Sequence, residues 1–229
     1  MSHNVLTKIK SLTSPRGHEI AVWDYITGEE NAWLFILGCF HGDEPEGEFI
    51  IKKLMDELKA GSAEEVAYNL LLVPCLNPDG KELHTRENAN KVDLNRNYPT
   101  ANFSPESVNP HSGKASAGKP GSEMETKLMM ELTALYEPAR ILSIHSDLHL
   151  VDYDGPAQEW AAAIAKLIGY KLVENVGYPC TGSFGTWAGI ERQIPLVTLE
   201  TRGAGCDDDF FQIWQEVRPA LWATLSGKI

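Results

Sequence analysis

The stretch Ala32–Glu44, with the sequence AWLFILGCFHGDE, joins an apolar run directly to charged side chains. The run spans residues 32–40 and is about half of the ~20 residues that a bilayer crossing needs. Residues 32–39 instead predict a β-strand that is buried on both faces. The sequence therefore predicts that the polar side chains of His41 and Glu44 lie at the carboxyl end of this strand.

Strands and helices alternate along the rest of the chain. This alternation predicts an α/β fold, a three-layer α/β/α sandwich around a mixed, mostly parallel, twisted sheet. The predicted strands are residues 20–25, 32–39, 66–74, 139–144 and 194–199, with an extended segment at 171–174. The predicted helices are residues 46–60, a segment from Ser122 to the residues before Pro138, 160–168 and 210–225.

Turn and capping residues lead to three local predictions. The turn at residues 28–31 favours a hairpin between its two flanking strands. Ser122 and Glu125 have the spacing of a capping box at the start of a helix. Residues 77–121 are rich in polar residues, proline and glycine, and an irregular segment of this length inside a domain is usually functional.

Length and composition limit the class of protein. A chain of 229 residues predicts one domain, residues 1–229. Its 43% hydrophobic and 23% charged residues are typical of a globular protein and argue against disorder. The net charge of −12 repels polyanions, which, without a basic patch, argues against nucleic acid as a partner.

The N-terminus and the cysteines indicate the compartment. Residues 1–10 lack the apolar core of a signal peptide, and the four cysteines are widely spaced without a C-x-x-C pair. We therefore expect a cytoplasmic protein without a membrane segment. A homodimer is compatible with the sequence.

Five polar residues follow predicted strands at the edge of the sheet where ligands bind in α/β folds. Two histidines, one carboxylate and an open position make a catalytic zinc site, and His41, Glu44 and His145 offer this set. His149 is the alternative histidine ligand. The competing interpretation is that His41 caps its strand and that Glu44 belongs to the acidic first turn of the next helix. The five residues are His41, Glu44, Asn77, His145 and Glu200.

Several motifs occur in a fixed order along residues 38–202. They are His41-x-x-Glu44, Asn77-Pro78-Asp79-Gly80, Arg86, Val92-Asp93-Leu94-Asn95-Arg96-Asn97, His145-Ser146, Tyr178 with Gly182-Ser183 and Trp187, and Leu199-Glu200. Together they resemble the zinc metallocarboxypeptidase family, the carboxypeptidase A-like enzymes. Their joint occurrence is far more specific than one H-x-x-E pair.

The resemblance implies a hydrolase with one zinc ion (Zn²⁺), bound by His41, Glu44 and His145. It implies that Glu200 is the catalytic carboxylate, which takes a proton from the attacking water and passes it to the leaving amine. Arg86 matches the arginine that stabilises the oxyanion of the tetrahedral intermediate.

The same resemblance implies roles for four further residues. Asn95 and Arg96 match the pair that grips the carboxylate next to the scissile bond, which implies a small peptide substrate with a free carboxylate. Tyr178 matches a mobile substrate-binding tyrosine. Asp93 matches the carboxylate that orients a zinc-binding histidine, here His41.

Three segments, residues 39–45, 152–157 and 178–187, resemble the compact bacterial branch of the family, the murein peptide amidases. This branch cleaves the γ-D-glutamyl–meso-diaminopimelate bond of murein tripeptide during cell-wall recycling. Asp147 is then a candidate partner for the distal ammonium of diaminopimelate. Arg202 is a candidate partner for its second carboxylate.

Four other functions are alternatives. An acylamino-acid deacylase of the aspartoacylase and succinylglutamate desuccinylase type shares H-G-x-E and D-L-N-R, but residues 77–80 and 182–187 favour the peptidase branch. A general zinc carboxypeptidase differs in the residue that it releases. A zinc-dependent binding module needs neither Glu200 nor Arg86. A serine hydrolase is disfavoured, because Ser183 lacks the glycine two positions earlier that a nucleophile elbow uses.

Overall fold

The computed structural model describes residues 4–61, 65–108, 113, 115–174, 176 and 180–229. Within them, eight strands form one sheet that is surrounded by helices. The strands are β1 (Leu6–Thr13), β2 (Glu19–Tyr25), β3 (Trp33–Gly38), β4 (Asn69–Val73), β5 (Arg140–Ser146), β6 (Leu150–Asp154), β7 (Lys171–Leu172) and β8 (Leu196–Thr201). The helices are α1 (Glu46–Lys59), α2 (Pro78–Leu83), α3 (Met124–Tyr136), α4 (Gln158–Ile168) and α5 (Asp207–Leu225), with a 3₁₀ turn at Leu94–Arg96 and a π-helical turn at Gly185–Ile190.

The sheet has the strand order β1-β2-β4-β3-β5-β8-β6-β7. The pairs β4–β3, β3–β5, β5–β8 and β6–β7 are parallel, and the three other neighbouring pairs are antiparallel. The predicted α/β fold with a mixed, mostly parallel sheet is therefore confirmed. Since the central strands are parallel, their carboxyl ends meet at one edge of the sheet.

Apolar side chains cover both faces of the sheet, because neighbouring residues of a strand point to opposite sides. On one face, Leu34 and Ile36 of β3 pack in a core with residues of α1, α4 and α5. On the other face, Phe35 and Leu37 pack in a core with residues of α3 and the π-helical turn. Helices on both sides complete the three layers, and β3 is buried on both faces as its apolar run predicts.

The hairpin predicted across residues 28–31 is wrong. β2 pairs with β1 and β4, and β4 lies between β2 and β3. Helix α1 carries the chain from β3 to its parallel neighbour β4, so β4 occupies the position next to β3. The Asn69 side chain of β4 then accepts hydrogen bonds from the backbone N–H groups of Thr27 and Gly28 and holds the loop that follows β2.

Residues 77–121 contain short helices that were not predicted. Helix α2 begins where the Asn77 side chain accepts a hydrogen bond from the backbone N–H of Gly80. The 3₁₀ turn begins where the Asp93 side chain accepts one from the N–H of Asn95. The side chains of the sequence motifs thus fix the backbone of this region.

Two strands and one helix start also differ from the predictions. β1 is largely exposed, and β6 contains two aspartates, a residue type that is rare in strands, so neither was predicted. Helix α3 begins at Met124 without a side-chain cap, because the Ser122 hydroxyl donates to the Glu123 carboxylate. Among the described residues, no helix is both long enough and apolar enough to cross a membrane.

Candidate metal centre and active site

Three adjacent strands carry the central residues of the site. His145 of β5 and Glu200 of β8 lie directly opposite each other in the parallel register. In the antiparallel register, Asp152 of β6 lies opposite Thr198 of β8. Because side chains alternate along a strand, all four side chains are on the same face of the sheet.

His41, Glu44 and His145 converge at the carboxyl ends of β3 and β5. Glu44 Oε1 lies 2.7 Å from His41 Nδ1, and Glu44 Oε2 lies 2.7 Å from His145 Nδ1. All three side chains are buried, and one donor atom of each lies within 4.8 Å of the others. The structure therefore brings the three predicted ligands together, and two imidazole nitrogens with one carboxylate are a donor set that fits zinc.

Asp93 is fully buried and links a histidine of this centre to an arginine. Its Oδ1 lies 3.2 Å from His41 Nε2, and its Oδ2 accepts a 2.8 Å hydrogen bond from Arg86 Nε. The contact at Nε2 leaves His41 Nδ1 directed at Glu44, which is the arrangement of a carboxylate that orients a metal-binding imidazole. Arg86 Nη1 lies 3.5 Å from Glu44 Oε1, so the guanidinium is fixed at the edge of the metal centre.

Neighbouring histidine and arginine side chains control the ionisation of the two buried acids. Burial alone would raise the pKa of Glu44, but His41 and His145 outweigh it and lower that pKa below its usual range. Burial also opposes the ionisation of Asp93, yet Arg86 and His41 hold its pKa well below the usual value. Both carboxyls are therefore ionised at neutral pH, as a metal ligand and its orienting partner need.

Glu200 lies in a different environment. It is 8% exposed, and its Oε2 has no hydrogen-bond partner within the described part of the chain. Burial raises the pKa of its carboxyl to about 7, and the negative charges of Glu44 and Asp152 contribute to the rise. A carboxyl that titrates near neutral pH can accept and return a proton, which suits the general base predicted here.

Asn95 and Arg96 lie on the 3₁₀ turn and line the same cavity as Glu200. Asn95 Oδ1 accepts a 2.8 Å hydrogen bond from the N–H of Phe184. With that oxygen engaged, the NH₂ group is the donor that the side chain offers to a carboxylate. Arg96 is 2% exposed, and its Nη1 donates a 2.6 Å bond to the carbonyl of Asn95, which holds the guanidinium in place.

The cavity has a volume of about 130 Å³ and includes the predicted ligands, Arg86 and Glu200 among its lining residues. Asp147 also lines it, but it is exposed, so it lies at the rim rather than in the buried part. Tyr178 lies outside the described residues, and its role in substrate binding stays a prediction.

Two further candidates lie elsewhere. Arg202 donates hydrogen bonds to three side chains of α5, Asp209, Gln212 and Glu216, and it is not among the described residues that line the cavity. His149 is exposed, and its ring packs edge-on against Tyr170 at 4.2 Å. His145, rather than His149, is the histidine that meets His41 and Glu44.

Two acidic residues of the cavity wall, Asp152 and Asp154, were not predicted as site residues. They lie two positions apart on β6 and therefore point to the same side of the sheet. The Asp-x-Asp pair is visible in residues 152–157, but its meaning depends on a strand that the sequence does not predict.

Ser183 is engaged in a turn. Its Oγ donates to Thr186 Oγ1 and accepts a hydrogen bond from the backbone N–H of Thr186, both at 2.9 Å. These bonds stabilise the start of the π-helical turn. They give no support to a serine hydrolase.

The chain is similar to proteins of known family. The family model described as zinc carboxypeptidase matches residues 2–159, more than half of the chain. Murein peptide amidase A of Vibrio campbellii is 35% identical over 181 residues, which cover 75% of this chain and 70% of that protein. Murein peptide amidase A of Escherichia coli K12 is 35% identical over 174 residues, covering 72% and 69%.

Solved structures show the same fold. The murein-tripeptide amidase MpaA from Escherichia coli O157 superimposes with a TM-score of 0.70 and 27% identity, covering 93% of this chain and 91% of that one. Carboxypeptidase A from Helicoverpa armigera has a TM-score of 0.80 over 97% of this chain and 69% of that one, with 18% identity. The chain therefore belongs to the zinc carboxypeptidase family, whose members are hydrolases of peptide bonds that use one zinc ion.

Proposed function

We propose that the protein is a murein peptide amidase that hydrolyses the γ-D-glutamyl–meso-diaminopimelate bond of murein tripeptide during cytoplasmic cell-wall recycling. The observation that carries the proposal is the meeting of the His41–Glu44–His145 cluster with Glu200 and Arg86 in one cavity. The 35% identity to two murein peptide amidases supports the choice of substrate.

The metal centre is the first part of the proposal. His41, Glu44 and His145 would hold the zinc ion, and Asp93 fixes the His41 ring through Nε2. A zinc ion bound there would polarise the scissile carbonyl and make water a better nucleophile.

The surrounding side chains perform the remaining steps. Glu200 takes a proton from the attacking water and delivers it to the nitrogen of the leaving amine, so that the C–N bond breaks. Arg86, held by Asp93, presents a fixed positive charge to the carbonyl oxygen as it becomes negative. Asn95 and Arg96 bind the carboxylate beside the scissile bond.

Mass spectrometry tests the substrate. The zinc-loaded protein is incubated with L-Ala-γ-D-Glu-meso-diaminopimelate, and we expect free diaminopimelate and L-Ala-D-Glu as products. N-acetylaspartate serves as the control for a deacylase, and a peptide with a C-terminal phenylalanine serves as the control for a general carboxypeptidase. Faster hydrolysis of either control than of the tripeptide would contradict the proposal.

Elemental analysis tests the metal ligands. We expect one zinc ion per wild-type chain and a large loss of zinc from His145→Ala, because this change removes one of three donors. The matched control is His149→Ala. The His149 ring is exposed and packs against Tyr170, so this variant should keep stoichiometric zinc. Equal zinc contents in the two variants would contradict the assignment.

A further inference from the structure

Two cysteines that lie far apart in the sequence meet beyond the ends of two parallel strands. Cys39 follows β3, and Cys75 follows the segment that ends β4. The backbone N–H of Asn77 donates a 2.9 Å bond to the carbonyl of Cys39, so the two segments continue side by side past the sheet. Both cysteines are free, and their thiols share a hydrogen bond. The fold thus makes a thiol pair that no spacing in the sequence reveals.

The backbone at Cys39 is unusual for a residue with a side chain. Its φ is +51°, in the left-handed region that glycine adopts without strain and other residues rarely enter. Backbone strain of this kind is concentrated at functional sites. The strain therefore makes the Cys39 sulfur a candidate for chemistry rather than for packing alone.

One of the two sulfurs is open to a reagent from solvent. Cys39 is 0% exposed, whereas Cys75 is partly exposed. Lys81 interacts electrostatically with both thiols. It pairs with Glu48, which also pairs with Lys52, so two cations and one anion surround this region. Reactive cysteines typically lie in partly exposed surroundings of this positive character, which assigns the first reaction to Cys75.

The buried thiol of the pair is connected to the loop of the metal centre. Cys39 Sγ donates a 3.4 Å hydrogen bond to the carbonyl oxygen of His41. The same oxygen accepts a 3.2 Å bond from the backbone N–H of Glu44. The Cys39 thiol therefore helps to hold the backbone of the loop that carries two of the proposed zinc ligands.

We propose that Cys39 and Cys75 are a redox-active dithiol, which a peroxide oxidises to a disulfide that weakens zinc binding through His41. The effect on zinc rests on the proposed function, because it assumes that His41 is a zinc ligand. Formation of the disulfide does not depend on that assumption. In a reducing compartment such a disulfide is transient and reports the presence of an oxidant.

The reaction balances with hydrogen peroxide as the oxidant. The Cys75 sulfur attacks one peroxide oxygen, the O–O bond breaks, and a sulfenic acid and one water form. The Cys39 sulfur then loses its proton and attacks the Cys75 sulfur, the S–O bond breaks, and a second water leaves. Two thiols thus supply the two electrons that reduce the peroxide. The disulfide has no S–H group, so the bond to the His41 carbonyl is lost.

Peptide mapping tests the disulfide. Metal-free protein is treated with hydrogen peroxide, its remaining thiols are alkylated, and an unreduced digest is analysed by mass spectrometry. We expect the peptides that contain Cys39 and Cys75 to be linked, with a loss of two hydrogen atoms. Cys75→Ser should give no link to Cys39. The matched control is Cys206→Ser, the same change at an exposed residue before α5, which should form the wild-type link. Absence of the link from wild type overturns the proposal.

Competition with a chelator tests the effect on the metal centre. A hydrogen bond of this kind makes a modest net contribution, so oxidised protein should bind zinc roughly 2–10-fold more weakly than reduced protein. Dithiothreitol should restore the affinity, and peroxide should leave the affinity of Cys75→Ser unchanged. Equal zinc affinity of reduced and fully linked wild type overturns the coupling to His41. If reduced wild type binds no zinc, the proposed function fails, while the peptide map still tests the thiol pair.

Discussion

At the scale of single residues, the buried acids of the site differ in their partners. Glu44 and Asp93 each contact positively charged or imidazole groups on both carboxylate oxygens, and their pKa values are lowered. Glu200 keeps one oxygen unpaired, and burial raises its pKa to about 7. These three carboxyls thus have two kinds of environment, one that suits holding a metal centre and one that suits moving a proton.

Glu200→Gln tests the general base. The substitution keeps the shape of the side chain but removes the proton acceptor, so we expect kcat to fall by ~10²–10⁴. Zinc content and the circular dichroism spectrum should stay unchanged, because Glu200 is not one of the three proposed ligands. Full activity in zinc-loaded Glu200→Gln protein would assign the proton transfer to another group.

Asp93→Asn tests the residue that positions both His41 and Arg86. Loss of a carboxylate behind a metal-binding histidine typically weakens metal affinity by ~10–100-fold, and we expect a decrease of this size in competition with a chelator. Asp56→Asn at the surface of α1 should leave the affinity unchanged. Wild-type zinc affinity in Asp93→Asn, with an unchanged unfolding temperature of the metal-free protein, would refute the positioning role.

The sequence is informative about residues whose roles depend on local motifs. His41, Glu44 and Asp93 lie in short motifs whose residue types and spacing are typical of a metal site. The sequence therefore identifies them as candidates. Asp152 and Asp154 acquire their role from the antiparallel pairing of β6 with β8, a contact between distant parts of the chain. No local pattern reports such pairing, and these two residues were therefore missed.

At the scale of elements, the metal centre depends on the close packing of two loops. Residues 39–45 connect β3 to α1 and carry two of the proposed ligands, His41 and Glu44. The backbone N–H of Gly42 donates a 3.4 Å bond to the carbonyl of Arg86, which joins this loop to the segment after α2. The loop thus packs against the segment that contains Arg86, the residue proposed to stabilise the oxyanion.

Gly42→Ala tests this packing. The added Cβ would lie 1.9 Å from the carbonyl carbon of Gly80 and 2.2 Å from the amide nitrogen of Lys81, so the backbones must separate. We expect a loss of about 1–3 kcal/mol of stability in urea unfolding, together with weaker zinc binding. Gly205→Ala is the control, because its new Cβ would lie 3.4 Å from its nearest neighbour, Asp209 Oδ2. This variant should change neither the stability nor the zinc binding. Equal unfolding midpoints for the two variants would argue against the tight contact.

Helices and strands with a clear period were predicted, whereas the order of the strands in the sheet was not. The apolar run of β3 and the amphipathic pattern of α1 are local properties, and both elements were predicted. The position of β4 between β2 and β3 follows from the crossover through α1, which competes with the local hairpin signal of the turn at residues 28–31. Strand order is decided by such long-range contacts.

At the scale of the whole molecule, the cavity acids make the stability of the metal-free protein depend on pH. The pKa values of Glu200 and Asp154 are raised to about 7 by burial, so between pH 4 and 7 the folded state binds more protons than the unfolded state. The free energy of unfolding must then fall as the pH rises through this window. Glu44 and Asp93 have lowered pKa values, so the stability that their ionised forms contribute is lost only at more acidic pH.

Asp154→Asn tests this dependence. An amide resembles the protonated acid but cannot ionise, so the variant should lose less stability between pH 4 and 7 than wild type. A pKa raised from 3.8 to about 7 corresponds to about 2–4 kcal/mol after allowance for partial exposure. Urea unfolding with a chelator present measures the difference, and parallel pH curves for the two proteins would contradict the assignment.

The register between β5 and β8 has a consequence for how this enzyme can evolve. His145 and Glu200 lie opposite each other on hydrogen-bonded strands, so their backbone separation is the fixed distance of about 4.8 Å between strands. The spacing between the proposed metal ligand and the proposed general base is thereby tied to the sheet. A one-residue slip of β8 against β5 would turn Glu200 to the opposite face, so descendants of this chain should keep the lengths of these two strands while their loops vary.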